Sequence, residues 1–134
     1  MNSLQLQIGA RTIYGEARGE GPAGMDAVAH VLINRVKDGR WGMTLFQVCL
    51  APYQFSCWNV GDPNRMIMIT LDDAQPLLQQ CIVAMDNAMA GDTFDPTGGA
   101  THYYADTMPS VPTWTVGATE TAHIGAHIFF KNVK

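Results

Sequence analysis

The chain has 134 residues, of which 47% are apolar, enough for one domain with one hydrophobic core. Its net charge is −4, and no basic run or stripe exists to neutralise phosphates, which argues against a nucleic-acid partner. No apolar run approaches the ~20 residues of a membrane span, and the N-terminus lacks the basic and apolar regions of a signal peptide, so the sequence predicts cytoplasmic synthesis without membrane insertion.

The charged fraction of 15% is low, so much of the surface must come from Gly, Thr, Asn, Gln and Ser. Such a surface, with aromatic residues among it, suits a carbohydrate ligand. In chain order, the first periodic segment runs from about Leu4 to Ala17. Leu6, Ala10, Ile13 and Ala17 recur at i, i+4, i+7 and i+11, one face of a helix, and Gly19 and Gly21 end it. Pro22 opens a second helix to about Val36, in a position where its missing N–H costs nothing. Met25, Val28, Ala29, Leu32, Ile33 and Val36 form its stripe, and Ala27 and Val31 widen it. A helix apolar around most of its circumference is predicted to be the central core helix.

Thr44 to Leu50 reads as a short helical turn, because Thr44 and Gln47 have capping-box spacing. A loop is expected through residues 51–64. The third long helix is expected from about Asp73 to Ala90, with Leu77, Leu78, Cys81, Ile82 and Met85 on its stripe; Pro76 must lie in its first turn and Gly91 stops it. Beyond Gly91 the chain turns rich in Thr, Gly, Pro and aromatics, and "THYY" and "HIGAHIFF" read as short extended segments. The fold class is mainly α, or α+β, with an irregular β C-terminal segment, and one domain spans residues 1–134. The three cysteines make no C-x-x-C pair. Cys81 is a core residue; Cys49 and Cys57 are close enough in sequence to bridge, but free thiols are expected in a reducing compartment.

Glu16 is the residue that does not fit its helix. It lies about 80° from Leu6 around a 3.6-residue turn, at the margin of the buried face and in the last turn. The negative end of the helix dipole and desolvation both raise its pKa. A carboxyl still protonated near neutral pH beside a cleft is what a general acid for glycoside cleavage requires. The competing reading pairs Glu16 with Arg11, Arg18 or Arg35 as a structural ion pair. Glu20, four residues on, is read as a solvated loop carboxylate, with a secondary catalytic role as the alternative.

Five segments in order, "ARTIYGEARGE", "AVAHVLINRV", "VCLAPYQFSCWN", "GGATHYYAD…W" and "IGAHIFF", resemble the cell-wall hydrolase family of the spore cortex-lytic enzymes, over about Ile8 to Phe130. The resemblance implies a lysozyme-like helical fold and cleavage of the N-acetylmuramic acid to N-acetylglucosamine linkage of peptidoglycan, often as a lytic transglycosylase. It also implies that the first glutamate of "GEARGE", Glu16, is catalytic. One carboxyl suffices for a transglycosylase, whereas a hydrolysing muramidase usually needs a second one ~5 to 9.5 Å away; Glu20, Asp62, Asp106 and Glu120 are the candidates, and none has a motif. Tyr53, Gln54, Phe55, Ser56 and Trp58 form a loop able to stack on and hydrogen-bond a sugar, or else Phe55 and Trp58 plug the core. His102, Tyr103 and Tyr104 are further candidates for the cleft wall; as strand residues, His102 and Tyr104 face one way and Tyr103 the other.

Two other classes compete. His123 and His127 could share a zinc in an amidase if they lay on a helix, but the sequence around them favours a strand, which holds them too far apart, and no HExxH occurs; no metal or cofactor is expected. His30 is expected to be a satisfied buried histidine. A non-catalytic peptidoglycan-binding or structural domain is the third class, since fold alone does not give activity. Taken together, the sequence predicts a monomeric peptidoglycan-cleaving enzyme acting at the cell wall, of phage or prophage endolysin type, and released by a holin-type protein.

Overall fold

The computed structural model describes residues 3–52 and 54–134; Tyr53 lies outside them. Five helices come first: α1 (Ser3–Ala17), α2 (Gly21–Asp38), α3 (Leu45–Leu50), α4 (Pro63–Thr70) and α5 (Pro76–Ala90). Three strands follow, β1 (His102–Ala105), β2 (Thr119–Ile124) and β3 (His127–Lys131). They form one antiparallel sheet in the order β1-β3-β2.

The breakers act where the sequence places them. Pro22 stands in the first turn of α2, which ends at Gly39 in the left-handed conformation. Pro76 opens α5 behind a Gln75 cap, three residues later than the periodicity suggests, and Gly91 closes it at φ 74°. Thr44 accepts from the Gln47 N–H at the start of α3. Two elements depart from expectation. Residues 63–70, the first two of which fall in the expected loop, form α4: Asp62 caps it by accepting from the Asn64 N–H and Pro63 is the first helical residue, a start that a capping residue and proline both favour. "HIGAHIFF" is not one strand but the turn of a hairpin, with Gly125 at φ 58° between His123 of β2 and His127 of β3. The two histidines are thus on different strands, and the separation along one strand that sequence reasoning invoked does not apply.

α2 is central, and its wide stripe has two neighbours. Met25, Val28, Ala29 and Leu32 join Ile13 of α1 and Leu78 and Met85 of α5 in the main core. Ala27 and Val31, on its other side, pack against Ala100 and the fully buried Phe129 of β3. Burial on both sides is the reason the helix is apolar nearly all round. The sheet is thereby pinned to α2, and the register Tyr103↔Phe129 fixes where β1 presents its tyrosine. Cys49, Cys57 and Cys81 are all buried and free. His30 is buried and bonded to Thr93 at 3.0 Å.

Candidate active site

Glu16 sits in the last turn of α1, half-buried. Its close neighbour is set by the adjacent Gly15: a Cβ there would stand 2.7 Å from Cys57 Sγ, so glycine lets the 3-10 turn Ser56–Trp58 lie directly against α1. Tyr103 reaches over from β1, and its hydroxyl donates to Glu16 Oε1 at 2.5 Å. Burial pushes the Glu16 carboxyl above its ordinary value of 4.5, and the Asp62 charge adds to this; the Tyr103 hydroxyl and the Arg35 guanidinium oppose it. Desolvation, the cause deduced from the helix margin, is thus the largest influence and shifts the balance towards the acid form.

The ion-pair alternative for Glu16 is not found among the described residues. Arg11 pairs with Asp73 and donates to the Met68 and Leu71 carbonyls. Arg18 donates to Asn64 Oδ1. Arg35 donates through Nε to the Thr101 carbonyl at 2.7 Å and through Nη1 to Gln54 Oε1 at 3.0 Å.

Tyr103 also lines a groove of about 610 Å³, together with Trp41, Gln54, His102 and Trp114 and the cationic Arg35, Arg40 and Lys134. His102 is held between the two indoles, with ring centroids 5.3 Å from Trp41 and 5.1 Å from Trp114. Burial and the nearby arginines push its pKa down to about 4, so it meets a ligand as a neutral ring. Aromatic faces beside hydrogen-bonding groups, the amide of Gln54 and the cations of Arg35, Arg40 and Lys134 among them, suit the alternating apolar and hydroxyl surfaces of a sugar. Trp41 and Trp114 were not singled out from sequence. Both are isolated tryptophans without a periodic partner, and the groove forms only when the residues after α2 meet β1 and the 3-10 turn Thr113–Thr115.

The remaining candidates divide. Gln54 belongs to the groove and is tied to Arg35. Phe55 is buried in the core with its ring 5.0 Å from the Arg35 guanidinium, which makes it packing rather than a ligand platform. Trp58 packs against the core and donates its indole N–H to Thr12 at 2.8 Å, while Ser56 is exposed at the start of its turn. Tyr104 turns to the opposite side of β1 from Tyr103, as period-2 alternation demands, and stacks on Phe130 at 5.8 Å. Glu20 is not a free loop carboxylate: it lies 3.6 Å from His127 Nδ1, and a Cβ built on Gly125 would stand 2.9 Å from its Oε2. Asp106 contacts His123 at 3.0 Å. Asp62 caps α4, and Glu120 is exposed on β2. Among the described residues no group of three or more His, Cys, Asp or Glu is placed to hold a metal ion.

A mainly helical domain with a C-terminal three-stranded sheet and one half-buried glutamate beside an aromatic groove is the setting in which the sequence comparisons fall. The chain belongs to the Cell Wall Hydrolase family, whose profile matches residues 19–130, beginning just after Glu16. It is 35% identical to the spore cortex-lytic enzyme of Bacillus cereus over 127 residues, 94% of this chain and 44% of that protein. It is 34% identical to that of Halalkalibacterium halodurans over 125 residues, 92% of this chain and 34% of that protein. The chain thus spans less than half the length of these relatives. Its fold is that of the catalytic domain of the Bacillus cereus SleB protein, with a TM-score of 0.79 and 29% identity over 97% of this chain and 91% of that one. The catalytic domain of the germination-specific lytic transglycosylase SleB from Bacillus anthracis matches with a TM-score of 0.77 and 29% identity, over 98% of this chain and 97% of that one.

Proposed function

We propose that residues 1–134 are a single catalytic domain that cleaves the N-acetylmuramic acid to N-acetylglucosamine linkage of a peptidoglycan glycan strand as a lytic transglycosylase. The observation that carries this is Glu16: half-buried, its pKa raised by burial, and hydrogen-bonded by the Tyr103 hydroxyl rather than by a cation. In the first half of the reaction the Glu16 carboxyl gives its proton to the glycosidic oxygen as the C1–O bond breaks. In the second half the resulting carboxylate takes the proton of the muramic 6-hydroxyl while that oxygen bonds to C1. The product is a 1,6-anhydro sugar, no water is consumed, and Glu16 ends protonated as it began. With Tyr103 on Oε1, Oε2 is the oxygen left to carry and return the proton. Gln54, His102 and Tyr103 are the proposed contacts to the strand, with Trp41 and Trp114 as stacking faces.

The hydrolysing muramidase is the alternative because Asp62 acts on Glu16 electrostatically, although its Oδ1 is engaged in capping α4. The catalytic neighbour's description as a lytic transglycosylase favours the one-carboxylate route. The relatives compared are spore cortex-lytic enzymes, which lends the endolysin and holin expectations no support, so the proposal is confined to the glycan-strand chemistry.

Mass spectrometry of peptidoglycan digested with the chain, chelator present, tests the reading. Anhydro-muramyl products, one water lighter than reducing ones, are expected. Reducing ends would transfer the assignment to the muramidase. Release of peptides without glycan cleavage, or no product at all, would overturn the glycosidase reading.

A further inference from the structure

Arg35 occupies a place that its family motif alone does not explain. It is 5% exposed, yet among the described residues none of its hydrogen bonds goes to a carboxylate. Its Nε and Nη1 are spent on two neutral acceptors, the Thr101 carbonyl and Gln54 Oε1. Its guanidinium lies 4.4 Å from the Trp41 ring centroid and 5.0 Å from that of Phe55. A buried charge without a counter-ion is expensive to hold, so its retention calls for a return elsewhere.

Its four neighbours come from three different places: Trp41 from the segment after α2, Gln54 and Phe55 from the loop before the Ser56–Trp58 turn, and Thr101 from just before β1. Two of them, Trp41 and Gln54, are groove walls, and Thr101 is two residues from Tyr103. The rigid central helix α2 thus reaches through one side chain to both walls and to the strand that carries the tyrosine on Glu16. A planar fork can serve several acceptors in fixed directions, which a lysine cannot.

We infer that Arg35 is the positioning residue of this active site: it fixes the two groove walls relative to Glu16 and supplies a fixed positive charge felt by the Glu16 carboxylate left after proton delivery. The inference rests on the glycosidase reading for its kinetic part and on geometry alone for the rest. The charged and titratable groups that act on Glu16 from the packed elements are Tyr103 of β1, Arg35 of α2, Asp62 before α4, and the buried thiols Cys49 and Cys57. Arg35 is the cation of the set. It remains charged at neutral pH, burial lowering its pKa only to about 10.

The test uses Arg35→Lys, which keeps the charge and loses the fork, and Arg35→Gln, which loses the charge and keeps an amide donor. The Glu16 carboxyl is titrated by NMR in each, and the pH profile of strand cleavage is measured in parallel. In Arg35→Gln the Glu16 midpoint moves up, because the cation that favours its carboxylate is gone, and the alkaline limb of the rate profile moves up with it. In Arg35→Lys the midpoint stays near that of the parent chain while turnover falls by roughly 10²-fold, the scale expected when reacting groups are misplaced by about 1 Å. An unmoved midpoint in the Gln variant overturns the electrostatic part, and full turnover in the Lys variant overturns the positioning part even if the Gln variant does not fold. If the parent chain cleaves no glycan, the glycosidase reading fails while the NMR titration still decides the charge assignment.

Discussion

Replacing Tyr103 by phenylalanine removes one oxygen from the site and leaves the ring, which packs 4.8 Å from His127 and 5.4 Å from Phe129. What is lost is the donor on Glu16 Oε1. A hydrogen bond to a charged group contributes ~1.5 to 3 kcal/mol and one between neutral groups about 1. Before proton transfer Glu16 is the neutral acid; afterwards it is a carboxylate. Only the difference between the two states accelerates the step, which leaves about 0.5 to 2 kcal/mol. At 1.36 kcal/mol per factor of ten, Tyr103→Phe should slow strand cleavage by about 2- to 30-fold. The Tyr103 hydroxyl holds the Glu16 pKa down, so its removal should also carry the alkaline limb of the rate profile to higher pH. Initial rates of turbidity loss across pH, with thermal melts alongside, measure both. An unchanged rate and limb would mean that the bond is not made in the working site. A loss of about 10³-fold or more in a folded variant, well beyond this differential, would mean that the phenol itself moves a proton and that Glu16 does not act alone.

Glu16→Gln keeps size and hydrogen-bonding ability but has no transferable proton, and should lower lysis by ~10² to 10⁴-fold, with Glu20→Gln far milder; the reverse ranking in a lysis assay would refute the assignment. Because the folded-state pKa of Glu16 is raised above 4.5 by burial, its contribution to stability is fully present below that value and is lost as pH rises through the raised pKa. Glu16→Gln should therefore melt no lower than the parent at pH 7 to 8, and a clear drop would revive the structural role. Gly15→Ala would place a Cβ 2.7 Å from Cys57 Sγ and 2.9 Å from Cys57 Cβ; by overpacking it should destabilise the fold by ~1 to 3 kcal/mol and shift Glu16 next to it, as chemical denaturation and lysis rates would report. The three buried thiols, each pushed up to about 12 by burial, should resist alkylation in the native protein and react fully in denaturant; rapid native labelling, or a disulfide after unfolding without reductant, would contradict this.

Helices α1, α2, α3 and α5 were legible because each carries its own signals. The stripe of α2, its opening proline and the glycine that closes α5 are local, and they fix those elements within a few residues of where they lie. Glu16 was legible for the same reason. A carboxylate at the edge of an apolar face in a last turn is a statement about one helix, and burial raises its pKa as that statement requires. α4 was missed although its signal, Asp62 before Pro63, was present, because four apolar residues in eight give a short segment little periodicity. The hairpin at Gly125 was missed because an eight-residue apolar run reads the same whether it is one strand or two halves joined by a turn.

The groove was not legible from any one segment. Alternation predicts that Tyr103 and Tyr104 point opposite ways, but only the packing of Phe129 against Ala27 and Val31 decides that Tyr103 is the one facing Glu16. Phe55 and Gln54 are neighbours in sequence, and the choice between core and cleft for each depends on where Arg35 stands. Arg35, Trp41 and Trp114 gain their roles from contacts made across the chain, with separations such as that between Arg35 and Thr101. Sequence periodicity encodes which face of an element is buried, since burial acts residue by residue. Which buried faces meet, and what polar side chains they enclose, depends on long-range contacts that no local pattern records.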